Sequence, residues 1–455
     1  ALGRVVSDQS VYAINSGPAS APQAALYLGE PWGMKDIITV DMGGTSFDIT
    51  LTRNGRANVS KNIDFLRYRI GIPMIQVETL GAGGGSVGWI DSMGLLQMGP
   101  QSAGSEPGPA CYDQGGVRPT TTDANLVLGY LNPDGLVGGR LPLDTGKARK
   151  AIKTHLADPL GISVEKAAHG MFTIVNNNMV NAIRRVSVER GYDPRDFVLN
   201  CAGGATAAHI TALAREMGIR KVLISKLASG LCAFGQILSD VKYNHMAPAP
   251  VRLEGVAAAA KLDALFNDLE ARGREDLAGD GFPEEKISIL RSLDMRYVGQ
   301  VHECTVDIEP FEVTEAALER LKAAFHARHE ELYTYCEPNS PVEVVNVESA
   351  ITGSVDQPGR MKLERGTGAH QALKGTREMI FSASGLAHET PVFDGALLGA
   401  GDLVTGPAVI QEVTTTIVIE PGWLAELDET GVYVLTLADD ATGESGARAR
   451  IAEEV

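Results

Sequence analysis

Residues 37–51, Ile-Ile-Thr-Val-Asp-Met-Gly-Gly-Thr-Ser-Phe-Asp-Ile-Thr-Leu, constrain the chain more than any other stretch. Ile37 to Val40 is a β-branched run of the kind that fills a buried strand, and Asp41 closes it. Gly43 and Gly44 lack Cβ atoms, so the chain can reverse there and bring its N–H groups close to a ligand. Phe47, Ile49 and Leu51 alternate with Asp48 and Thr50, so a second strand leaves the turn with one apolar face. The spacing predicts strand, tight turn, strand. A carboxylate before two glycines and a hydroxyl suits a magnesium–phosphate group: backbone amides and Thr45 hold oxygens, while Asp41 and Asp48 orient metal or water. The same residues also describe an ordinary glycine hairpin with a solvated Asp at each end. With no Gly-Lys-Ser/Thr the stretch is not a P-loop. Leading into a strand rather than a helix, it is not a dinucleotide fingerprint either.

A second glycine unit lies downstream. Phe197 to Asn200 reads as a strand that runs through Cys201-Ala202 into Gly203-Gly204-Ala205. A helix follows to Met217, Gly218 stops it, and Lys221 to Ile224 is the next strand. Glycines there let a flat ligand, such as an adenine or ribose, lie against backbone and a helix N-terminus. His209, one to two turns into that helix, reads as a plain structural histidine. Between the two units, Gly81-Ala82-Gly83-Gly84-Gly85-Ser86 forms another loop suited to close backbone approach. The Pro- and Gly-rich segment from Gly99 to Tyr112 is either an ordered functional loop or a long structural connection. In Thr120 to Leu131, Thr122 or Asp123 starts a short helix. Asp123 either caps it or, beside a glycine loop, faces a substrate or metal. Ser16-Gly17-Pro18 reads as a helix N-cap rather than a hydroxyl near the phosphate turn. Residues 145–190 carry helical spacing, and Arg184, Arg185 and Arg190 at its end read as solvated.

Beyond residue 245, the expected elements are helices at 257–274 and 314–333, a strand pair over 287–308, a strand at 343–348, and short strands from about 365 to 437. A small, charged tail, Asp439 to Val455, is expected to be disordered. At 455 residues the chain suffices for two or three domains with ample core. A net charge of −17 argues against nucleic acid or an anionic membrane surface as partner. It leaves a nucleotide open, since amides and Mg²⁺ hold phosphate without lysines. Five scattered cysteines without a Cys-x-x-Cys spacing point to reduced thiols and the cytoplasm. No apolar run reaches the roughly 20 residues of a membrane span, and no signal peptide is visible. The start at Ala1, without Met, suggests processing or a fragment.

The two glycine units in this order resemble the actin-like ATPase superfamily. More closely, the chain resembles the hydantoinase A, 5-oxoprolinase and acetone carboxylase β-subunit family. The segments that carry the likeness run from Ser16-Gly17-Pro18-Ala19 and Asp41 to Asp48 through Thr79 to Ser86, Pro107 to Tyr112 and Thr122 to Asn125. They continue through Ala202 to Ala205, Arg296 to Gln300 with His302-Glu303, Val342 to Asn346, Gly406 to Ile410 and Pro421-Gly422-Trp423. The resemblance implies an α/β fold in which two ribonuclease-H-like halves close over ATP, each with one phosphate hairpin. Here the expected fold is that actin-like ATPase fold lacking its N-terminal half, plus a C-terminal α+β region. The expected boundaries are 1–245 for the ATPase region, 246–437 for the C-terminal domain and 438–455 for the tail. The family's earlier domain with its own Asp-x-Gly-Gly-Thr hairpin has no counterpart in this sequence, so the chain is expected to be a fragment or to take that half from a separate polypeptide. A second departure is Ala202 and Thr206-Ala207, where the family has an aromatic and Gly-Pro.

The resemblance also implies roles. Asp41 and Asp48 would bind Mg²⁺ or Mn²⁺ and act in catalysis. Gly43, Gly44 and Thr45 would hold phosphate, Gly203, Gly204 and Ala205 the adenosine, and Gly83 and Gly84 would add backbone contacts to the cofactor. Asp123 is the further catalytic candidate. The implied reaction is ATP-dependent phosphorylation of a carbonyl or amide oxygen, which opens a cyclic amide (hydantoin, 5-oxoproline or another lactam) by hydrolysis. The alternatives are a ketone carboxylase subunit using bicarbonate and a non-catalytic nucleotide-binding assembly subunit. The implied partner is a larger, hydantoinase B-like subunit.

Overall fold

The computed structural model describes residues 7, 10–60, 63–65, 67–72 and 74–438. The tail from Asp439 lies outside the described residues. The chain forms two compact units, one of residues 15–237 together with the chain from 359 onward, the other of the chain up to 14 together with 238–358.

The larger unit is built on a nine-stranded sheet. Its strands are β1 (Ile37–Met42), β2 (Phe47–Arg53), β3 (Arg56–Ala57), β4 (Glu78–Leu80), β5 (Val198–Ala202), β6 (Lys221–Ser225), β7 (Leu403–Thr405), β8 (Trp423–Leu427) and β9 (Val432–Leu437). Their order is β7-β8-β9-β6-β5-β1-β2-β3, with β4 paired to β2. β1 lies parallel to β5, and β5 to β6, while β2 runs antiparallel to β1. The run β3-β2-β1-β5-β6 with β2 reversed is the arrangement of one ribonuclease-H-like half. The β-branched segment Ile37 to Val40 is completely or almost completely buried, as a strand inside a sheet with both faces covered requires. The long helix Val164–Val186, capped at its start by the Ser163 hydroxyl on the Lys166 amide, lays Met171, Phe172, Val175, Met179 and Ile183 into the same core as Phe47, Ile49 and Leu51. Each such side chain contributes about 1.5–3 kcal/mol on burial. Arg184 and Arg185 at its end form half-exposed ion pairs with Glu216 and Glu78.

The expected range 246–437 spans parts of both compact units, residues 359–438 belonging with the large one. β9 extends the sheet by pairing with β6, Lys221 opposite Thr436. In addition, Leu373–Met379, His388–Asp394, Ala408–Gln411 and Thr416–Ile419 form a four-stranded sheet in that unit. Short alternating strands announce themselves in sequence, but a partner two hundred residues away leaves no periodic mark. The smaller unit holds an antiparallel sheet in the order Val241–Arg252, Val342–Gly353, Ile287–Tyr297, Cys304–Ile308. Helices Gly255–Gly279 and Glu315–Tyr333 supply Leu262, Phe266, Leu269 and Phe325 to its separate core.

Candidate active site

The predicted hairpin is present, and its register decides the geometry. Asp41 on β1 stands directly opposite Asp48 on β2, so both side chains leave the same face of the sheet. On the outer side Asp48 is opposite Thr79 of β4, whose hydroxyl donates to Asp48 Oδ1 at 2.6 Å. Ser46 Oγ donates to Asp48 Oδ2 at 3.2 Å. On the inner side Asp41 is opposite Ala202 of β5, so both glycine turns emerge at the carboxyl ends of neighbouring parallel strands, where open α/β sheets place their ligands. Gly43 N–H closes the turn on Ser46 O at 3.1 Å. Among the described residues, the amides of Gly44 and Thr45 have no intramolecular acceptor, and both residues are exposed.

Gly203 binds the two turns together. Its φ is +81°, and a Cβ there would stand 2.4 Å from Asp41 Oδ1 and 2.4 Å from Met42 O. Both the left-handed backbone and the close approach demand glycine. Thr206 Oγ1 accepts from Met42 N at 2.7 Å and donates to Ala202 O, while Ala205 N donates to Met42 O at 3.2 Å. The threonine at the departure from the family pattern therefore ties the Gly203-Gly204 turn to the hairpin. Burial, the dominant cause, and the Asp48 charge raise the proton affinity of Asp41, and the Cys232 thiol, donating to Asp41 Oδ2 at 2.9 Å, lowers it. Burial and the same two carboxylates push the Cys232 thiol up, so it stays a donor.

Gly83 and Gly84 do not offer free amides. Gly84 N–H donates to Gly43 O at 3.0 Å, Gly85 N–H to Gly44 O at 2.7 Å, and Gly83 N–H to Ser86 Oγ at 2.8 Å. A Cβ on Gly83 would stand 2.7 Å from the Gly44 carbonyl and the Thr45 nitrogen. This loop is hydrogen-bonded to the hairpin, and Gly84 also lines the cleft beside it.

Of the two readings given for Asp123, cap or contact with substrate or metal, the structure shows a capping contact. The N-cap of helix Thr121–Val127 is Thr120, and Asp123 closes a capping box on it. Completely buried, its carboxylate accepts from Thr120 N–H and hydroxyl (2.8 and 2.7 Å), Cys111 N–H (2.8 Å) and Ala110 N–H (3.2 Å). Three of these four donors meet at Oδ2 and one at Oδ1. It pins the Pro- and Gly-rich segment to the helix, which in turn holds Gly84 O through the Thr122 amide and hydroxyl.

A cleft of about 600 Å³ runs from Gly43 and Gly44 past Gly204, Ala205 and Ala208 to a wall formed by Leu136 to Gly139 and Gln411 to Thr416. The far wall escaped sequence reasoning. Thr415 Oγ1 donates to Gly204 O at 2.9 Å, and Ser229 Oγ to Thr414 Oγ1 at 2.7 Å. Lys226 Nζ, near-buried, reaches Glu412 Oε1 at 2.7 Å. Gly135, Gly138 and Gly139, and the run of three threonines at 414–416, are the only sequence signals for these walls.

His209 is structural, as expected. Completely buried, it stacks on Phe172 at 4.8 Å, with Nδ1 on Asn176 Oδ1 (2.7 Å) and Nε2 on Asn125 Nδ2 (2.9 Å). Burial lowers its pKa from 6.5 to about 3. The native ring is then neutral where the unfolded chain binds a proton, so this contribution to stability is intact above pH 6.5 and is lost as pH falls towards 3. His209→Gln is expected to remove about 2 kcal/mol of the stability difference between pH 7 and pH 5. Urea midpoints of both proteins at the two pH values measure it; parallel shifts would refute the assignment.

The model for hydantoinase/oxoprolinase matches residues 4–245, and that for the hydantoinase/oxoprolinase C-terminal domain matches residues 252–437. The chain belongs to the hydantoinase/oxoprolinase family. Caprolactamase subunit alpha of Pseudomonas jessenii is 51% identical over 439 residues, covering 96% of this chain and 63% of that protein. The acetophenone carboxylase gamma subunit of Aromatoleum aromaticum is 33% identical, over 94% of this chain and 60% of that protein. Among solved structures, the crystal structure of the ATP-dependent caprolactamase from Pseudomonas jessenii superposes with a TM-score of 0.81, covering 93% of this chain and 62% of that one. Nucleotide-free acetone carboxylase gives a TM-score of 0.79 at 29% identity, with 93% and 61% covered. The chain thus spans about three fifths of the length of these relatives. The two matched segments are 4–245 and 252–437, whereas residues from 359 onward form one compact unit with 15–237.

Proposed function

We propose that this chain is the ATP-using part of an enzyme that phosphorylates a carbonyl or amide oxygen so that a cyclic amide can be opened by hydrolysis. The observation that carries the lactam reading is the 51% identity with caprolactamase subunit alpha across 96% of this chain. Asp41 and Asp48, in register and each held by its own donors, fit Mg²⁺ or Mn²⁺. A hard cation bound with nucleotide takes one or two carboxylates and completes its shell with phosphate and water. Gly203, which leaves no side chain over Asp41, keeps the space beside that carboxylate free. The amides of Gly44 and Thr45 and the Thr45 hydroxyl point to where phosphate oxygens would be held, and the cleft along Gly204 and Ala205 takes the adenosine. ATP with its metal, when bound, would supply the phosphoryl group that activates the substrate's carbonyl carbon towards attack, after which the C–N bond of the ring can break. The chain's own part is positioning and charge balance.

The same site serves a second reading, ketone carboxylation with bicarbonate, supported by the 33% identity with the acetophenone carboxylase subunit. Because the relatives are named as subunits, we place a larger, hydantoinase B-like partner beside this chain. The five free cysteines accord with a cytoplasmic setting. Among the described residues no helix is long and apolar enough to cross a membrane. The test is to purify the complete complex and measure ADP release with hydantoin, 5-oxoproline and larger lactams, and separately with ketones plus labelled bicarbonate. Lactam-dependent release is expected. Label incorporation from a ketone would move the assignment to the carboxylase, and release that depends on neither would reject both readings.

A further inference from the structure

Two features remain outside the proposed mechanism: the Ser16 to Ser20 segment and a thiol beside Asp41. The segment does not cap a helix by a side chain. Gly17 is the N-cap of the turn Pro18–Ser20, and Ser20 precedes helix Ala21–Gly29 without a capping bond. Instead the nearly buried Ser20 hydroxyl shares its proton between Gly17 O and Cys232 O, 2.6 Å from each. Cys232 lies in the first turn of helix Leu231–Leu238. Three residues on, a Cβ at Gly235 would stand 2.1 Å from Ser20 O. The helix is therefore seated against the Ser20 backbone at a fixed height, with Phe234 edge-on to Tyr27 at 5.5 Å.

That seating delivers the Cys232 thiol to Asp41. Among the described residues, Cys232 is the one side chain that donates to Asp41, at 2.9 Å to Oδ2. Asp48 has two hydroxyl donors, Ser46 and Thr79. Strand register fixes the Asp41 backbone, and Gly203 only makes room for Oδ1. The orientation of the carboxylate about its last torsion is left to Cys232. We propose that Cys232 is a positioning residue of the metal–nucleotide site: its thiol orients Asp41, and the contact of Ser20 with Gly235 sets the helix that carries it. Cys232 itself is not a ligand and acts through Asp41. The inference rests on the nucleotide reading above.

The test compares Cys232→Ala with Cys232→Ser in the complete complex. Binding of Mn²⁺ in the presence of ADP is followed by the electron paramagnetic resonance signal of free Mn²⁺, alongside ADP release. Loss of an outer partner of a metal ligand typically weakens metal binding about 10- to 100-fold. The Ala variant is expected to lose about 10-fold in Mn²⁺ affinity while metal-free ADP affinity holds, and the Ser variant, which keeps a donor, to stay within about 2-fold of the parent. Should Cys232→Ala fail to fold, Cys232→Val, of larger volume and without a donor, takes its place. Unchanged Mn²⁺ binding in the donorless variant, or an equal loss in folded Cys232→Ser, overturns the role of Cys232. A parent complex that binds no Mn²⁺ with ADP overturns the nucleotide reading instead.

Discussion

Asp41→Asn is expected to reduce ATP turnover by roughly a thousandfold, a loss of about 4 kcal/mol of transition-state stabilisation. The amide keeps the shape of the carboxylate and can still accept from Cys232, 2.9 Å away. What it removes is one of two negative charges that face each other across the hairpin. Folding should not suffer. Burial and the Asp48 charge raise the proton affinity of Asp41 in the folded protein. Such a group stabilises the fold most below its ordinary pKa and loses that contribution as pH rises through its raised, native value. At neutral pH the bare carboxylate is therefore a burden, and the neutral amide should melt at the same temperature or slightly higher. Steady-state ADP release and thermal unfolding, both on the complete complex, decide it. Unchanged turnover rejects the metal role, and turnover lost together with a fall in melting temperature assigns Asp41 to folding.

The contrast between what the sequence revealed and what it hid has a physical cause. The hairpin was legible because it is local: β-branched residues, two glycines and alternation fix strand, turn and strand, whereas the register that sets Asp48 opposite Asp41 came from the structure. Gly203 and Gly204 were legible as a strand end, but the reason for Gly203 was not, since it lies in an oxygen of Asp41 more than 160 positions earlier. The partners of the Gly83 and Gly84 amides, the Ser86 hydroxyl and the Gly43 carbonyl, could not be read from composition. Cys232 looked scattered because its partner, Asp41, is distant in sequence. Thr415 and Thr416 read as the start of an ordinary strand, and the acceptor of the Thr415 hydroxyl, Gly204 O, lies 211 positions earlier.

Asp123→Ala is expected to do the opposite of Asp41→Asn: to destabilise the fold by about 3–5 kcal/mol and to spare the chemistry of molecules that remain folded. The substitution strands the amides of Ala110, Cys111 and Thr120 and the Thr120 hydroxyl, all of which donate to this one buried carboxylate. Each buried donor left unmade costs about 1–3 kcal/mol, with water or relaxation recovering part of the sum. The capping box of helix Thr121–Val127 goes with it. Since that helix holds Gly84, and Gly84 braces Gly43, some loosening of the hairpin should follow, so turnover per folded molecule is expected to fall by less than about tenfold, roughly 1.4 kcal/mol. Urea unfolding gives the stability, and ADP release well below the unfolding midpoint gives the turnover. An unchanged midpoint with turnover abolished would return Asp123 to the reacting groups. A lowered midpoint with turnover largely kept would leave Asp41 and Asp48 as the two carboxylates that face the metal–nucleotide.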